Sequence, residues 1–320
     1  MRRFIAECSW GGPLPVGDER SVSGLVSVVI PCYNQARFLD ECLTSVELQE
    51  EATFEIIVVD DGSTDDIEPV LTRHPGVQYL RQANAGTSRA RNRGIGVARG
   101  EYVVVLDADD RLLAGALASG VAALRAASDA VMAWGDCRFI SASGVVIEDT
   151  IPELNPEDAY AMLLGQCLIP HPACVVFRRS LFKRGVSFDE TLSVCSDYDF
   201  YLKVLRADRG VAHTAVVSDY RQHDDNKSLN NERQRRDLRR IIGRQAEWVR
   251  DTPRLIAASR AGLRNADEYL WRRSVHQVRK AFGRGGSRRH LAANARLAIR
   301  LAPFVAPRVL FSWLLKNRSR

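Results

Sequence analysis

The chain has 320 residues, 46% of them hydrophobic, and a net charge of +6, which suits one large domain or a domain of roughly 220–250 residues with an appendage. Seven cysteines without a C-x-x-C pair point to reduced, buried thiols in a reducing compartment rather than a disulfide framework, and six histidines without H-E-x-x-H spacing argue against a zinc site. The start of the chain lacks the apolar core of a signal peptide, and no stretch reaches the 18 or so apolar residues of a membrane span. A cytoplasmic protein is expected.

In chain order, strands are predicted at Leu25–Ile30, Phe54–Val59, Val77–Leu80 and Tyr102–Leu106, separated by helical stretches at 36–48, 66–73 and 87–98. Continuous Val/Ile strands alternating with helices argue for parallel βαβ units with both sheet faces covered. Further on, a helix over 111–126 leads to strands at Ala130–Trp134, Val145–Ile147 and Cys174–Phe177, then a helix at 197–207 and a strand at Gly210–Val217. From Asn231 the chain reads as helical and basic, with a hinge at Gly283–Gly286 and an apolar, Arg-spaced piece at Ala292–Leu315 interrupted by Pro303 and Pro307. No acidic residue follows Glu268, so this region is either a helical hairpin packed on the main domain or an interfacial segment resting on anionic lipid.

Chemistry concentrates at the strand ends. The fourth strand runs into Asp107-Ala108-Asp109-Asp110, and ligands in open α/β sheets bind beyond the carboxyl ends of strands. Asp107 and Asp109 point the same way on an extended chain and could share Mg²⁺ or Mn²⁺; the competing reading is a helix cap, assigned here to Asp110. The first strand ends in Pro31-Cys32-Tyr33-Asn34, and the second in Asp60-Asp61-Gly62-Ser63. A ring and a carboxylate at adjacent strand ends suit a nucleotide base and its N–H or ribose hydroxyls, with Asp61 facing the crevice. In the third connection, Thr87 or Ser88 caps a helix carrying Arg89, Arg91 and Arg93, an anion site suited to diphosphate. Gly94-x-Gly96 lies inside that helix and is not a dinucleotide fingerprint.

Val26–Asn34 (VSVVIPCYN), Ile57–Asp65 (IVVDDGSTD), Asn84–Asn92 and Gly100–Asp110 occur in order at matching spacing. Together they resemble the family 2 glycosyltransferases, over residues from about 25 to 225. The resemblance implies a GT-A fold, a Rossmann-like mostly parallel sheet flanked by helices, here with a basic helical C-terminal extension. It also implies inverting transfer of a sugar from a nucleoside diphosphate donor, with UDP favoured, assisted by Mg²⁺ or Mn²⁺. On this basis Tyr33 and Asp61, with Pro31 and Asn34, would hold the nucleobase, Asp107 would lie near ribose and metal, Asp109 would ligate the metal, and Arg91 would sit close to the donor. Asp197 in Ser196-Asp197-Tyr198-Asp199 takes the position of the catalytic base, with Ser196 where the family usually has Glu, and Asp199 supports it from behind. His223 would complete the metal shell, with Arg221 or Lys227 neutralising phosphate; His171 shapes the acceptor side.

The expected division is an N-terminal extension (1–24), a catalytic domain (25–230, with a nucleotide-binding half to 110 and an acceptor half from 111) and a basic helical region (231–320). Expected partners are the nucleotide sugar and a glycan or lipid-linked acceptor, with the basic region touching the inner membrane face. Nucleic acid is not expected, since the basic tail lacks interleaved stacking aromatics. Two other readings are a nucleotidyltransferase, disfavoured because Pro-Cys-Tyr-Asn replaces a Gly-rich basic loop after the first strand, and a non-catalytic nucleotide-binding scaffold.

Overall fold

The computed structural model describes residues 21–148, 156–224, 226, 229–282 and 291–317. Most of the expected N-terminal extension, the Gly283–Gly286 stretch and Lys227 lie outside the described residues. The chain forms two compact units. The first comprises residues up to Ala159, Leu168–Thr191 and Ser196–Gln222; the second comprises Tyr160–Cys167, Leu192–Cys195 and the chain from His223 onward.

In chain order the elements are β1 (Val22–Cys32), α1 (Ala36–Glu47), β2 (Thr53–Asp60), α2 (Glu68–Arg73), β3 (Gln78–Arg81), α3 (Thr87–Val97), β4 (Gly100–Val105), β5 (Arg111–Leu112), α4 (Ala116–Ala126), β6 (Ala130–Ser141) and β7 (Val146–Glu148). There follow α5 (Ala159–Gly165), β8 (Val175–Arg178), α6 (Ser180–Lys183), α7 (Ser196–Ala207), β9 (Arg209–Gln222), α8 (Asn231–Arg244), α9 (Ala246–Val249), α10 (Pro253–Phe282) and α11 (Leu291–Asn317).

Nine strands make one sheet in the order β3-β2-β1-β4-β8-β6-β9-β5, with β7 on β6. The β3-β2-β1-β4 half is wholly parallel, as its continuous Val/Ile strands require. β8 inserts antiparallel between β4 and β6, and β9 then runs parallel to β6. Alternation sorts the strand side chains onto two faces. Val26, Val28, Ile30, Ile56, Val58 and Val104 pack with Leu39 and Leu43 of α1 and Leu117, Val121 and Leu124 of α4. On the opposite face α3 lies close enough that a Cβ on Gly94 would meet Val29 Cγ1 at 2.4 Å. That is why a glycine sits in mid-helix despite its low helix propensity. An aromatic cluster of Phe177, Phe182, Phe188, Phe200 and Tyr201 joins β8 to α6 and α7.

Several local expectations are corrected. The helix predicted over 111–126 begins only at Ala116, behind Gly115 at φ 74°, because Arg111 and Leu112 pair as a short strand with Asp219 and Ser218. The N-cap position of α3 is Gly86 at φ 98°, so Thr87 and Ser88 are the first two residues of the helix itself. β9 extends to Gln222 rather than ending at Val217, so Tyr220 and Arg221 are strand residues instead of a closing loop. In the second unit α11 runs through both Pro303 and Pro307. Buried Leu297, Leu301 and Val305 hold it in place where each proline removes a backbone donor. There, Asn231 donates to Ser274 Oγ (2.8 Å) and Gln277 Oε1 (2.9 Å), and Asn294 to the same Gln277 oxygen (2.7 Å), stitching α8, α10 and α11. No described helix is long and apolar enough to cross a membrane.

Candidate active site

Parallel register places four strand ends along one edge: Cys32 beside Asp60, Asp60 beside Arg81, and Val29 beside Val105. Three loops leave this edge and brace one another. Asn34, in the left-handed region at φ 54°, donates its N–H to Ser63 Oγ (3.0 Å) and accepts from Thr64 N–H (2.7 Å). Asp65 Oδ2 accepts from Ala36 N–H (2.8 Å), capping α1 from the neighbouring loop. Gly62, at φ 77°, sits where a Cβ would be 2.9 Å from the backbone nitrogen of Asn84, so only glycine lets the second and third loops approach this closely.

The two adjacent aspartates of the second loop divide their work. Asp60 is fully buried and accepts from Ser63 N–H (2.7 Å), Tyr79 Oη–H (2.8 Å) and Arg81 (2.7 Å). Asp61, expected to face the crevice, is also buried: Oδ1 accepts from Gln82 Nε2 and Ala85 N–H, and Oδ2 from Gly86 N–H, all at 2.8 Å. It clamps the 82–86 loop ahead of α3, filling three of the roughly four acceptor positions of a carboxylate. Tyr33, by contrast, keeps 38% of its surface exposed at the end of β1, while Pro31 is buried within the strand.

At the end of β4 the acidic run is fixed from two sides. Arg91, buried in α3, donates from Nη2 to both oxygens of Asp107 (2.7 and 3.0 Å) and from Nη1 to Ser196 Oγ (3.2 Å). Arg91 thus pairs with Asp107 rather than standing open to a donor phosphate, and Ser196, where the family usually has Glu, completes the bridge from α3 to the start of α7. Asp197 follows in the first turn of α7. Burial pushes its carboxyl above the ordinary carboxylate value, Arg91 pulls it back down, and Asp107 raises it again. The residue before this helix, Cys195, adopts φ 56°, a backbone conformation that costs energy in a non-glycine residue. Asp199 is buried against Lys203 Nζ at 2.6 Å.

The other side is held by Arg221, expected to neutralise phosphate but 2% exposed. Its backbone N–H donates to Asp110 Oδ1 (2.8 Å), Nε to the Asp109 carbonyl (2.8 Å), Nη1 to the Ala142 carbonyl (3.0 Å) and Nη2 to Glu41 Oε2 (2.5 Å). Asp110 therefore caps no helix: Oδ2 meets His171 Nδ1 at 3.0 Å, and His171 Nε2 meets Ser218 Oγ at 2.9 Å. Burial pushes Asp110 up to about 7, against the pull of His171. His171 is thus a core group behind the acidic run. Asp109 stays partly exposed at the end of β4, its backbone carbonyl held by Arg221 Nε. His223 falls in the second unit, where its N–H donates to Asn226 Oδ1. Sequence reasoning missed Glu41 and Ser218, which carry no motif of their own.

A model described as glycosyl transferase family 2 matches residues 27–186, half of the chain. The chain belongs to glycosyl transferase family 2. This family 2 member is 45% identical over 91 residues to a protein of Escherichia coli K12 named as the uncharacterized glycosyltransferase YibD, covering 27% of the chain and 26% of that protein. It is 30% identical over 186 residues to a chondroitin synthase of Escherichia coli, covering 56% of the chain and 26% of that protein. The match thus spans about a quarter of either relative. Among solved structures, S. aureus TarS 1–349 in complex with UDP-GlcNAc matches with a TM-score of 0.58 at 18% identity, covering 86% of the chain and 88% of that one. The mannosyltransferase PcManGT of Pyrobaculum calidifontis, in complex with GDP-Man and Mn²⁺, matches with a TM-score of 0.56 at 22% identity, covering 94% and 85%. At these identities the likeness establishes the shared GT-A fold.

Proposed function

We propose that this family 2 protein transfers a sugar from a nucleoside diphosphate donor to an acceptor hydroxyl with inversion, and that Asp197 is the base. The observation that carries the reading is the placement of Asp197 beside the Arg91–Asp107 pair at the edge where four parallel strands end. A carboxylate that burial raises above its ordinary value is a stronger base and suits proton uptake. The Asp197 carboxylate takes the proton of the acceptor hydroxyl as its oxygen bonds to the anomeric carbon. The bond to the donor's diphosphate oxygen breaks on the opposite face, and the nucleoside diphosphate leaves with the electron pair. Half-exposed Tyr33 supplies the stacking surface for the base, and the clamp made by Asp61 shapes the loop beside it.

Oxygen donors after β4 suit a hard divalent cation. Asp109 would hold Mg²⁺ or Mn²⁺, with Asp107, fixed by Arg91, towards ribose and metal; the ion would neutralise charge on the leaving diphosphate. UDP is the favoured nucleotide, consistent with the UDP-GlcNAc complex of TarS, and the chondroitin synthase likeness favours a glycan acceptor in cell-surface polysaccharide or glycolipid assembly. Exposed Ile299 and Phe304 on the basic α11 support peripheral contact with an anionic membrane face.

Asp197→Asn is the deciding experiment, with nucleotide sugars and Mn²⁺ supplied to both proteins. Loss of transfer with nucleotide affinity retained supports the assignment; a variant that transfers as fast as wild type removes it. Unchanged cellular function without transfer would point to a scaffold.

A further inference from the structure

Behind the acidic run lies a group of side chains that the proposed transfer does not use. Cys137 on β6, His171 in the turn ahead of β8, and Cys174 at the end of that turn are all buried, and their ligand atoms lie within 4.8 Å of one another. Spacing along the chain concealed this group. His171 and Cys174 are three residues apart, but Cys137 comes from a different strand and joins them only through the β6–β8 and β6–β9 pairing. We propose that Cys137, His171 and Cys174 form a structural site for a borderline-soft divalent cation of the zinc type, distinct from the oxygen-donor site at Asp109.

Four observations carry this assignment. Two thiols and an imidazole are the donors that select zinc-like ions over Mg²⁺ or Mn²⁺. Ser218 Oγ stands 3.6 Å from Cys174 Sγ and 2.9 Å from His171 Nε2, where its oxygen or a water could fill a fourth position. The outer shell is also built: His171 Nδ1 lies 3.0 Å from Asp110 Oδ2, and the ring stacks on Tyr220 at 5.0 Å. A ligating histidine is commonly oriented in this way, its second nitrogen on a carboxylate, leaving Nε2 for the metal. Finally, the charges balance. Binding M²⁺ converts two thiols to thiolates and releases two protons, so the core gains a neutral M(S⁻)₂ unit rather than a naked charge.

The consequence for the fold is mechanical. Asp110 joins the site to the backbone of Arg221 and thereby to the acidic run. A cation here would lock β6, β8 and β9 together behind Asp109 without touching the donor.

The test uses the full chain expressed in medium supplemented with Co²⁺ in place of Zn²⁺, a substitution that makes thiolate ligation visible. The expected result is about one Co²⁺ per chain retained through dialysis against a chelator, with thiolate-to-cobalt charge-transfer bands. Asp109→Asn and Cys167→Ser should keep those bands, which separates the site from the proposed catalytic metal and from the exposed thiol. Cys174→Ser and Cys137→Ser should lose them and release the metal at least tenfold faster. Wild-type chain that holds no cobalt, or holds it without charge-transfer bands, overturns the proposal whether or not the variants fold. So does a Cys174→Ser protein that folds and shows unchanged bands.

Discussion

Replacing Asp61 by Asn preserves the size of the side chain and removes the symmetry on which its three bonds depend. Both carboxylate oxygens accept: Oδ1 from Gln82 Nε2 and Ala85 N–H, Oδ2 from Gly86 N–H. An amide offers one oxygen, so its NH₂ must face at least one backbone donor. The less costly orientation keeps the Oδ1 pair and opposes the Gly86 N–H. Bonds to a charged group contribute about 1.5–3 kcal/mol and neutral ones about 1, so losing one and weakening two costs roughly 3 kcal/mol. Relief from burying a charge returns about a third of this, leaving about 2 kcal/mol. Hydrogen–deuterium exchange at the Ala85 and Gly86 amides is the direct assay, and 2 kcal/mol corresponds to roughly thirtyfold faster exchange there. Gln82→Ala, which spares both backbone bonds, should accelerate these amides only a few fold. Nucleotide affinity should fall with Asp61→Asn through the loosened loop. If the two amides exchange at the wild-type rate in Asp61→Asn, the clamp is not what orders this loop.

Gly94→Ala sets a helix-propensity gain of about 1 kcal/mol against overpacking onto Val29. Because β1 is buried on both sides and cannot retreat, the variant should be less stable by about 1–2 kcal/mol in urea unfolding, and a stabilised variant would contradict the packing argument. Removing the charge of Arg91 with Arg91→Met should move the acid limb of the activity profile to higher pH. The base must be ionised to act, Arg91 favours that form, and activity is lost as pH falls through the pKa of Asp197; an unmoved limb would dissociate Asp197 from that limb. Mn²⁺ should tighten nucleoside diphosphate binding to the wild type, and Asp109→Asn should abolish the tightening in calorimetric titration. Equal tightening in both proteins would remove Asp109 from the metal.

Strands and strand-end motifs were readable because their information is local: runs of Val and Ile, then polar residues at a fixed edge. What escaped reading depends on pairs far apart in sequence. Nothing near Asp61 announces that its acceptors are consumed by residues 21–25 positions later. Arg91 looks like a phosphate ligand until β4 brings Asp107 to it. Asp110 resembles a helix cap because a helix does follow; Gly115 and the short β5 delay that helix, and His171 and Arg221 take the carboxylate instead. Arg221 itself sat in a polar stretch that reads as loop, although β9 carries it into the core.

That last residue has a bearing on how the protein comes into being. Arg221 grips Asp109 and Asp110 across 112 and 111 positions of sequence, and the first compact unit ends one residue later, at Gln222. During synthesis the acidic run is therefore made early but shaped late, only once nearly the whole unit has left the ribosome. A nascent or truncated chain carries every strand-end motif yet lacks the tether that aims them. The proposed recruitment of cation and donor is in this sense a property of the finished unit, withheld from its precursors.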